Sequence, residues 1–286
     1  MTDKDTFFQT KKTLSIGGKI VDFSQPKVMG ILNLTPDSFF EGSRFQTEKE
    51  LLLAAEKMLN EGADFLDLGA YSSRPGAIDI SAEEEEKRLI PSLQQLVKIF
   101  PEALISVDTF RSNIAEKAIE NGAHLINDIS GGNRDPELFK TIGRLKVPYI
   151  LMHIKGTPQN MASQNQYENM ISEMCDYFSE KIESLKKAGV DDIILDPGFG
   201  FAKNIEQNFE LLKHLKSFEI LGLPIMVGLS RKSMIWKSLN ISPEQSLNGT
   251  TVLNTLALQY GASILRVHDV KEAKECIQLS AFLNSN

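Results

Sequence analysis

Short runs rich in Val, Ile and Leu recur along the chain, at residues 27–32, 64–68, 104–107, 124–128, 148–152, 192–195, 224–228 and 263–267. Most are apolar on successive residues and do not alternate, the pattern of parallel strands covered on both faces. Between and after them, apolar positions at helical spacing predict helices over 48–60, 82–99, 112–121, 136–145, 166–187, 205–216, 243–260 and 270–283. Gly62, Gly122 and Gly189 each fall just past a predicted helix, where a left-handed cap costs a glycine little. Thr47 with Glu50, and Ser81 with Glu84, read as capping boxes, while Asp135-Pro136 and Ser242-Pro243 mark helix starts.

Eight strand–helix units in series predict an α/β fold, a single (β/α)8 TIM barrel. An open doubly wound sheet is the alternative, but no GxGxxG opens the first helix. Residues 14–22 form an N-terminal β-hairpin turning at Gly17-Gly18, expected to plug the barrel floor. We expect one domain over 1–286, with 1–12 a flexible segment and 13–24 the hairpin.

Composition narrows the class. The 286 residues are 42% hydrophobic and 24% charged, which excludes a disordered chain. A formal charge of −7 exerts no global pull toward nucleic acid or an anionic membrane. Cys175 and Cys276 lack metal or disulfide spacing, and no signal-like or membrane-length apolar run occurs, so a cytoplasmic location is expected.

In such barrels function sits at the C-terminal ends of the strands. Those ends carry Asn33, Ser72-Ser73-Arg74, Asp108, Asn127-Asp128, His153, Asp196, Ser230-Arg231-Lys232, Arg266 and His268. Asp108, Asn127, Asp196 and Lys232 suit a flat heterocycle with adjacent N–H donors and a carbonyl, since one carboxylate accepts two parallel hydrogen bonds. Ser73, Arg74, Arg266 and His268 are mostly donors and suit an anion such as phosphate. For His268 the plain alternative is a loop imidazole bonded to Asp269. Asn33 offers a hard oxygen suited to Mg2+ carried by substrate phosphates, or else simply forms a turn. Phe199 and Phe201, between glycines, either wall an aromatic ligand or pack on the core. The acidic run 83–86 reads as a solvated helix start, and His124 and His214 as structural or surface residues. There is no Ser/His/Asp or Cys/His nucleophile arrangement.

The string Met29-Gly-Ile-Leu-Asn-Leu-Thr-Pro-Asp-Ser-Phe39 resembles the first signature of the dihydropteroate synthases, and Asp67-Leu-Gly-Ala-Tyr-Ser-Ser-Arg-Pro-Gly-Ala77 their second. Ser106-Val-Asp-Thr109, Ile126-Asn-Asp-Ile-Ser130, Asp196-Pro-Gly-Phe-Gly-Phe201, Gly228-Leu-Ser-Arg-Lys-Ser233 and Arg266-Val-His268 complete seven collinear motifs over about residues 13–283. The resemblance implies condensation of 6-hydroxymethyl-7,8-dihydropterin pyrophosphate with p-aminobenzoate. It places Asp108, Asn127, Met152, Asp196 and Lys232 on the pterin. Asn33, Ser73, Arg74, Arg266 and His268 go to the pyrophosphate, with Mg2+ at Asn33. Phe39, Pro75, Phe201, Lys232 and Ser233 frame p-aminobenzoate, whose carboxylate sits at the helix start that Ser233 opens. Asp108, Asp196, Lys232, Arg266 and His268 are the implied catalytic set, and a homodimer and a sulfonamide-binding p-aminobenzoate site are expected by resemblance alone. Departures from the common pattern are Ser73 for Thr, Tyr71 for Glu, Glu41 for Asp and Ala202 for Gly. Two other readings compete: a pterin domain that passes the methyl group of methyltetrahydrofolate to a corrinoid protein, and a catalytically silent pterin-binding paralogue.

Overall fold

The computed structural model describes residues 11–34, 44–71, 79–157, 160–161 and 164–283. A hairpin of β1 (Thr13–Ile16) and β2 (Lys19–Asp22) comes first. Then follow β3 (Lys27–Asn33), α1 (Arg44–Asn60), β4 (Phe65–Gly69), α2 (Ala82–Ile99), β5 (Leu104–Asp108), α3 (Ser112–Glu120), β6 (Leu125–Asp128) and α4 (Leu138–Leu145). The second half holds β7 (Tyr149–Met152), α5 (Met170–Lys187), β8 (Ile193–Asp196), α6 (Ile205–Lys213), β9 (Met226–Val227), α7 (Ser233–Leu239), α8 (Leu247–Gln259), β10 (Ile264–Val267) and α9 (Val270–Leu283).

The strands β3 to β10 pair in parallel in the order β8-β7-β6-β5-β4-β3-β10-β9. A bridge between Leu195 and Ile225, with the Leu195 amide donating to the Pro224 carbonyl at 2.9 Å, joins β8 to β9 and closes the ring. Period-two alternation divides each strand. Leu66, Leu68, Ile105, Val107, Ile126, Tyr149, Leu151, Ile193, Leu195 and Leu265 pack outward under the helices, which makes the strands read as continuous apolar runs. The inward set begins with a floor layer of Met29, Phe65, Leu125, Ile150, Ile194, Met226 and Ile264. Leu14, Ile16 and Phe23 seal that layer from below, so the hairpin is the expected plug. Its turn needs φ of +58° and +73° at Gly17 and Gly18, and a β-carbon on Gly17 would collide with His124. His124 Nδ1 in turn accepts from the Ile105 amide at 3.0 Å, a structural post.

Several boundaries differ from expectation. Helix α1 starts at Arg44, so Thr47 lies inside it and is not its cap. Helix α5 starts at Met170 because Asn169 caps it, its side chain accepting from the Ser172 amide. The predicted helix over 243–260 is a 3-10 turn, Pro243–Gln245, followed by α8, and the predicted helix over 205–216 ends at Lys213 before a 3-10 segment, Leu215–Leu221. Helix α7 is an element the pattern did not predict.

Candidate active site

Above the apolar floor, the next inward positions turn polar. Asp67 on β4, Asn127 on β6 and Arg266 on β10 are linked side chain to side chain. The Arg266 Nε donates to Asp67 Oδ2 at 2.7 Å, and the Asn127 Nδ2 donates to the same oxygen at 3.0 Å. Arg266 also donates through Nη2 to Asp108 Oδ2 at 3.2 Å. Asp108 ends β5, opposite Gly69 and Asn127 in register. Burial first, and the Asp67 carboxylate second, push Asp108 up to about 8, against the pull of Arg266.

Asp196 ends β8 across the ring. One oxygen accepts the Gly198 amide at 2.8 Å, and burial raises its proton affinity against the pull of Lys232. Lys232 donates to the Phe199 carbonyl and lies 4.8 Å from the centre of the Phe201 ring. Burial lowers Lys232 to about 8, opposed by Asp196. Met152 pairs in register with Asp196 and packs in an upper apolar layer with Tyr71, Phe110, Ile129 and Ala202, which Phe201 partly joins. Two proton-hungry carboxylates, Asp108 and Asp196, thus share a polarised cup with Lys232, which gives up its proton more readily than usual, and with Arg266, whose charge is held by Asp67 and Asp108.

His268 follows β10. Its amide donates to Ser230 Oγ at 3.3 Å, and its Nδ1 lies 3.0 Å from the same oxygen, while Asp269 pairs with Arg231 at 2.6 Å. The imidazole is therefore tied to Ser230 and not to Asp269. Ser233 is the first residue of α7, directly after Lys232. Asn33 ends β3, half-buried. Phe39, Ser73, Arg74 and Pro75 lie outside the described residues.

Other strand-end residues do not serve the cup. Asp128 points outward, accepting the Ser130 and Gly132 amides at 2.6 Å each and the Tyr149 hydroxyl. His153 packs 4.9 Å from the Tyr177 ring. Phe199 is fully buried in the outer core, so the packing reading holds for it and the ligand reading does not. In the acidic run, Glu85 is not solvated: it is fully buried and accepts from Arg111 and from the Thr109 hydroxyl.

Two residues escaped sequence reasoning. Asp67 is the junction of the polar layer, and the available signal was a carboxylate inside an otherwise apolar strand. Lys203 is half-buried, and desolvation lowers it to about 7. Its Nζ donates to the carbonyls of Gly198 and Phe201 at 3.1 Å each, shaping the loop that presents Phe201, and lies 3.2 Å from His153 Nδ1.

Residues 29–268 match the family described as pterin binding enzyme. The chain belongs to the dihydropteroate synthase family. It is 40% identical over 264 residues to the dihydropteroate synthase of Escherichia coli K12, covering 92% of this chain and 93% of that one. The Synechocystis dihydropteroate synthase is 42% identical over 262 residues, covering 90% of each. Among solved structures, the Yersinia pestis dihydropteroate synthase in a sulfonamide drug complex superposes with a TM-score of 0.90 at 38% identity, covering 96% of this chain and all of that one. The Xanthomonas albilineans dihydropteroate synthase with 4-aminobenzoic acid gives 0.90 at 36% identity, covering 97% and 100%.

Proposed function

We propose that this transferase of folate synthesis joins 6-hydroxymethyl-7,8-dihydropterin pyrophosphate to p-aminobenzoate, forming 7,8-dihydropteroate and pyrophosphate. The observation that carries the reading is the polarised cup itself. A pterin offers adjacent N–H donors and a carbonyl. Asp108 and Asp196 accept the donors, Asn127 adds an amide, Lys232 donates to the ring, and Met152 packs beneath it. The N–H donors of that ring add hydrogen bonds that stabilise the ionised forms of both carboxylates.

The pyrophosphate goes to Arg266 and His268, with Ser73 and Arg74 as further donors. Among the described residues, no three His, Cys, Asp or Glu side chains converge on one point. A lone amide oxygen on Asn33 fits a Mg2+ delivered by the substrate's own phosphates, as that ion prefers. Bound there, Mg2+ would offset charge on the leaving group. Arg266, Arg74 and His268 do the same with side-chain donors. Departure precedes attack in this reading: the electron-rich pterin, polarised between Asp108 and Asp196, carries the methylene cation until the aniline nitrogen reaches it. Phe201, Lys232 and Ser233, with Phe39 and Pro75, frame p-aminobenzoate, and a sulfonamide would compete for that frame.

We further propose a cytoplasmic homodimer. The thiols of Cys175 and Cys276 are free. Among the described residues no helix is long and apolar enough to cross a membrane. Of the apolar residues on α8 and α9, Leu253 and Ile277 pack inward, while Val252, Leu256, Leu279 and Phe282 stay exposed and supply the dimer face.

Calorimetric titration of the pterin pyrophosphate with and without Mg2+ tests the site. Binding that weakens without Mg2+ and is lost in Lys232→Ala and Asp196→Ala supports the assignment. Equal binding by both variants overturns it.

A further inference from the structure

Inward side chains of a barrel stack in layers, and each layer holds the one above it in place. Asp67 lies in the layer between the apolar floor and the mouth, two residues above Phe65 on β4, and no part of it is exposed. A single oxygen, Oδ2, receives both the Arg266 Nε and the Asn127 Nδ2. A carboxylate accepts and cannot donate, so it turns the NH2 end of the Asn127 amide downward. The Asn127 Oδ1 is then left buried and without a partner among the described residues, as an acceptor toward the cup. Arg266 is held in the same way, its short contact to Asp67 and its longer one to Asp108.

We infer that Asp67 is the positioning residue of the site: it orients the Asn127 amide to accept from the bound heterocycle, and it shares the Arg266 guanidinium with Asp108, so that Arg266 is not committed to Asp108. This rests on the proposed function for its substrate, and on the observed hydrogen bonds for its geometry. The second Asp67 oxygen and the hydroxyl of Ser106, its register partner on β5, are both buried and unpartnered among the described residues. The layer therefore has acceptor capacity to spare, and substrate need not touch Asp67 for it to matter. An amide in place of Asp67 keeps the shape and an accepting oxygen, but has no charge to balance the guanidinium.

Asp67→Asn has distinct expected consequences. Arg266 moves its charge onto Asp108, and the repulsion from Asp67 disappears. Asp108, which also feels the charges of the outward Asp128 on β6 and of Glu85 on α2, then titrates lower, by about one pH unit or more. With the purified full chain, that midpoint is read by carbon NMR of labelled aspartate. Turnover of the pterin pyrophosphate with p-aminobenzoate is expected to fall about ten- to hundredfold, the effect of losing one charge-assisted hydrogen bond that acts in the transition state. The KM for p-aminobenzoate stays within about threefold, because Asp67 lies far below that frame. Ser106→Ala, in the same layer and uncharged, is the control and stays within about twofold of the parent in turnover. An Asp108 midpoint unmoved in Asp67→Asn overturns the inference, as does unchanged turnover.

Should Asp67→Asn fail to fold, the parent protein still decides. The Arg266 Nε–H and Asn127 Nδ2–H protons are expected to exchange slowly with solvent, and fast exchange of either overturns the inference. Absence of condensation by the parent would sink the functional reading instead, and would leave the titration and exchange results standing.

Discussion

Asp108→Asn is expected to make the ligand-free protein more stable while abolishing its binding of the pterin. In the unfolded chain the Asp108 carboxyl titrates near 3.8, and in the folded protein near 8. Below about pH 3.8 it is protonated in both states and costs nothing. As the pH rises further, the unfolded chain releases the proton and the folded one keeps it. Folding therefore loses stability steadily until about pH 8, and the loss is constant beyond. At pH 7 the gap covers about three pH units, and each is worth about 1.36 kcal/mol, so the carboxyl costs roughly 4 kcal/mol. Asparagine removes this cost and keeps an oxygen for the Arg266 Nη2. For a chain of this size each kcal/mol shifts the melting temperature by about 2 °C or slightly less. Calorimetric melts of both proteins from pH 4 to pH 8 should show a gain of several degrees at pH 7 that shrinks toward zero at pH 4. The reasoning fails if Asp108→Asn melts lower than the parent at pH 7, or if the gain is the same at both ends. The site thus trades stability for a buried carboxylate that the proposed function requires.

Arg111→Ala leaves Glu85 charged, fully buried and short of its main donor, so urea denaturation should show a loss of roughly 3–5 kcal/mol, much of it restored by adding Glu85→Gln. Ala202 sits at a φ of 48°, a conformation that costs a non-glycine residue about 1 kcal/mol, so Ala202→Gly should raise the urea midpoint, and a lowered midpoint would contradict that strain. Ser230→Ala removes the hydroxyl that positions the His268 imidazole and should lower turnover about tenfold with little change in melting temperature. If pyrophosphate leaves before attack, deuterium at the pterin methylene should give a secondary effect on turnover clearly above unity, and a value near one would contradict that order.

Most of the fold was legible because burial on both faces writes itself into a parallel strand as an unbroken apolar run, and the helices between kept their period. Helix α7 was not legible in the apolar pattern, only in the family resemblance that starts a helix at Ser233: its seven residues make too few turns to show a period, and Arg231 and Asn240 on either side take positive φ without glycine. The candidate cup was legible because Asp108, Asn127, Asp196 and Arg266 lie at or next to strand ends and Lys232 lies in the loop after one. The supporting layer was not. Asp67 stands two residues before its strand ends and looks like an isolated polar position, and Glu85 was hidden among three other glutamates of one run. Partners such as Arg266, 199 residues from Asp67, become neighbours only when the ring closes. The same holds for Ser230 and His268, 38 residues apart. Spacing along the chain carries no trace of either contact.

The central claim is that one cup both holds the heterocycle and assists departure of pyrophosphate. The most direct test is to incubate the purified chain with 6-hydroxymethyl-7,8-dihydropterin pyrophosphate, p-aminobenzoate and Mg2+, and to quantify 7,8-dihydropteroate by mass spectrometry beside released pyrophosphate. Equal amounts of the two products are expected, with neither formed above background by folded Asp196→Ala or Lys232→Ala. Pterin binding without product, or equal product from those variants, would contradict it.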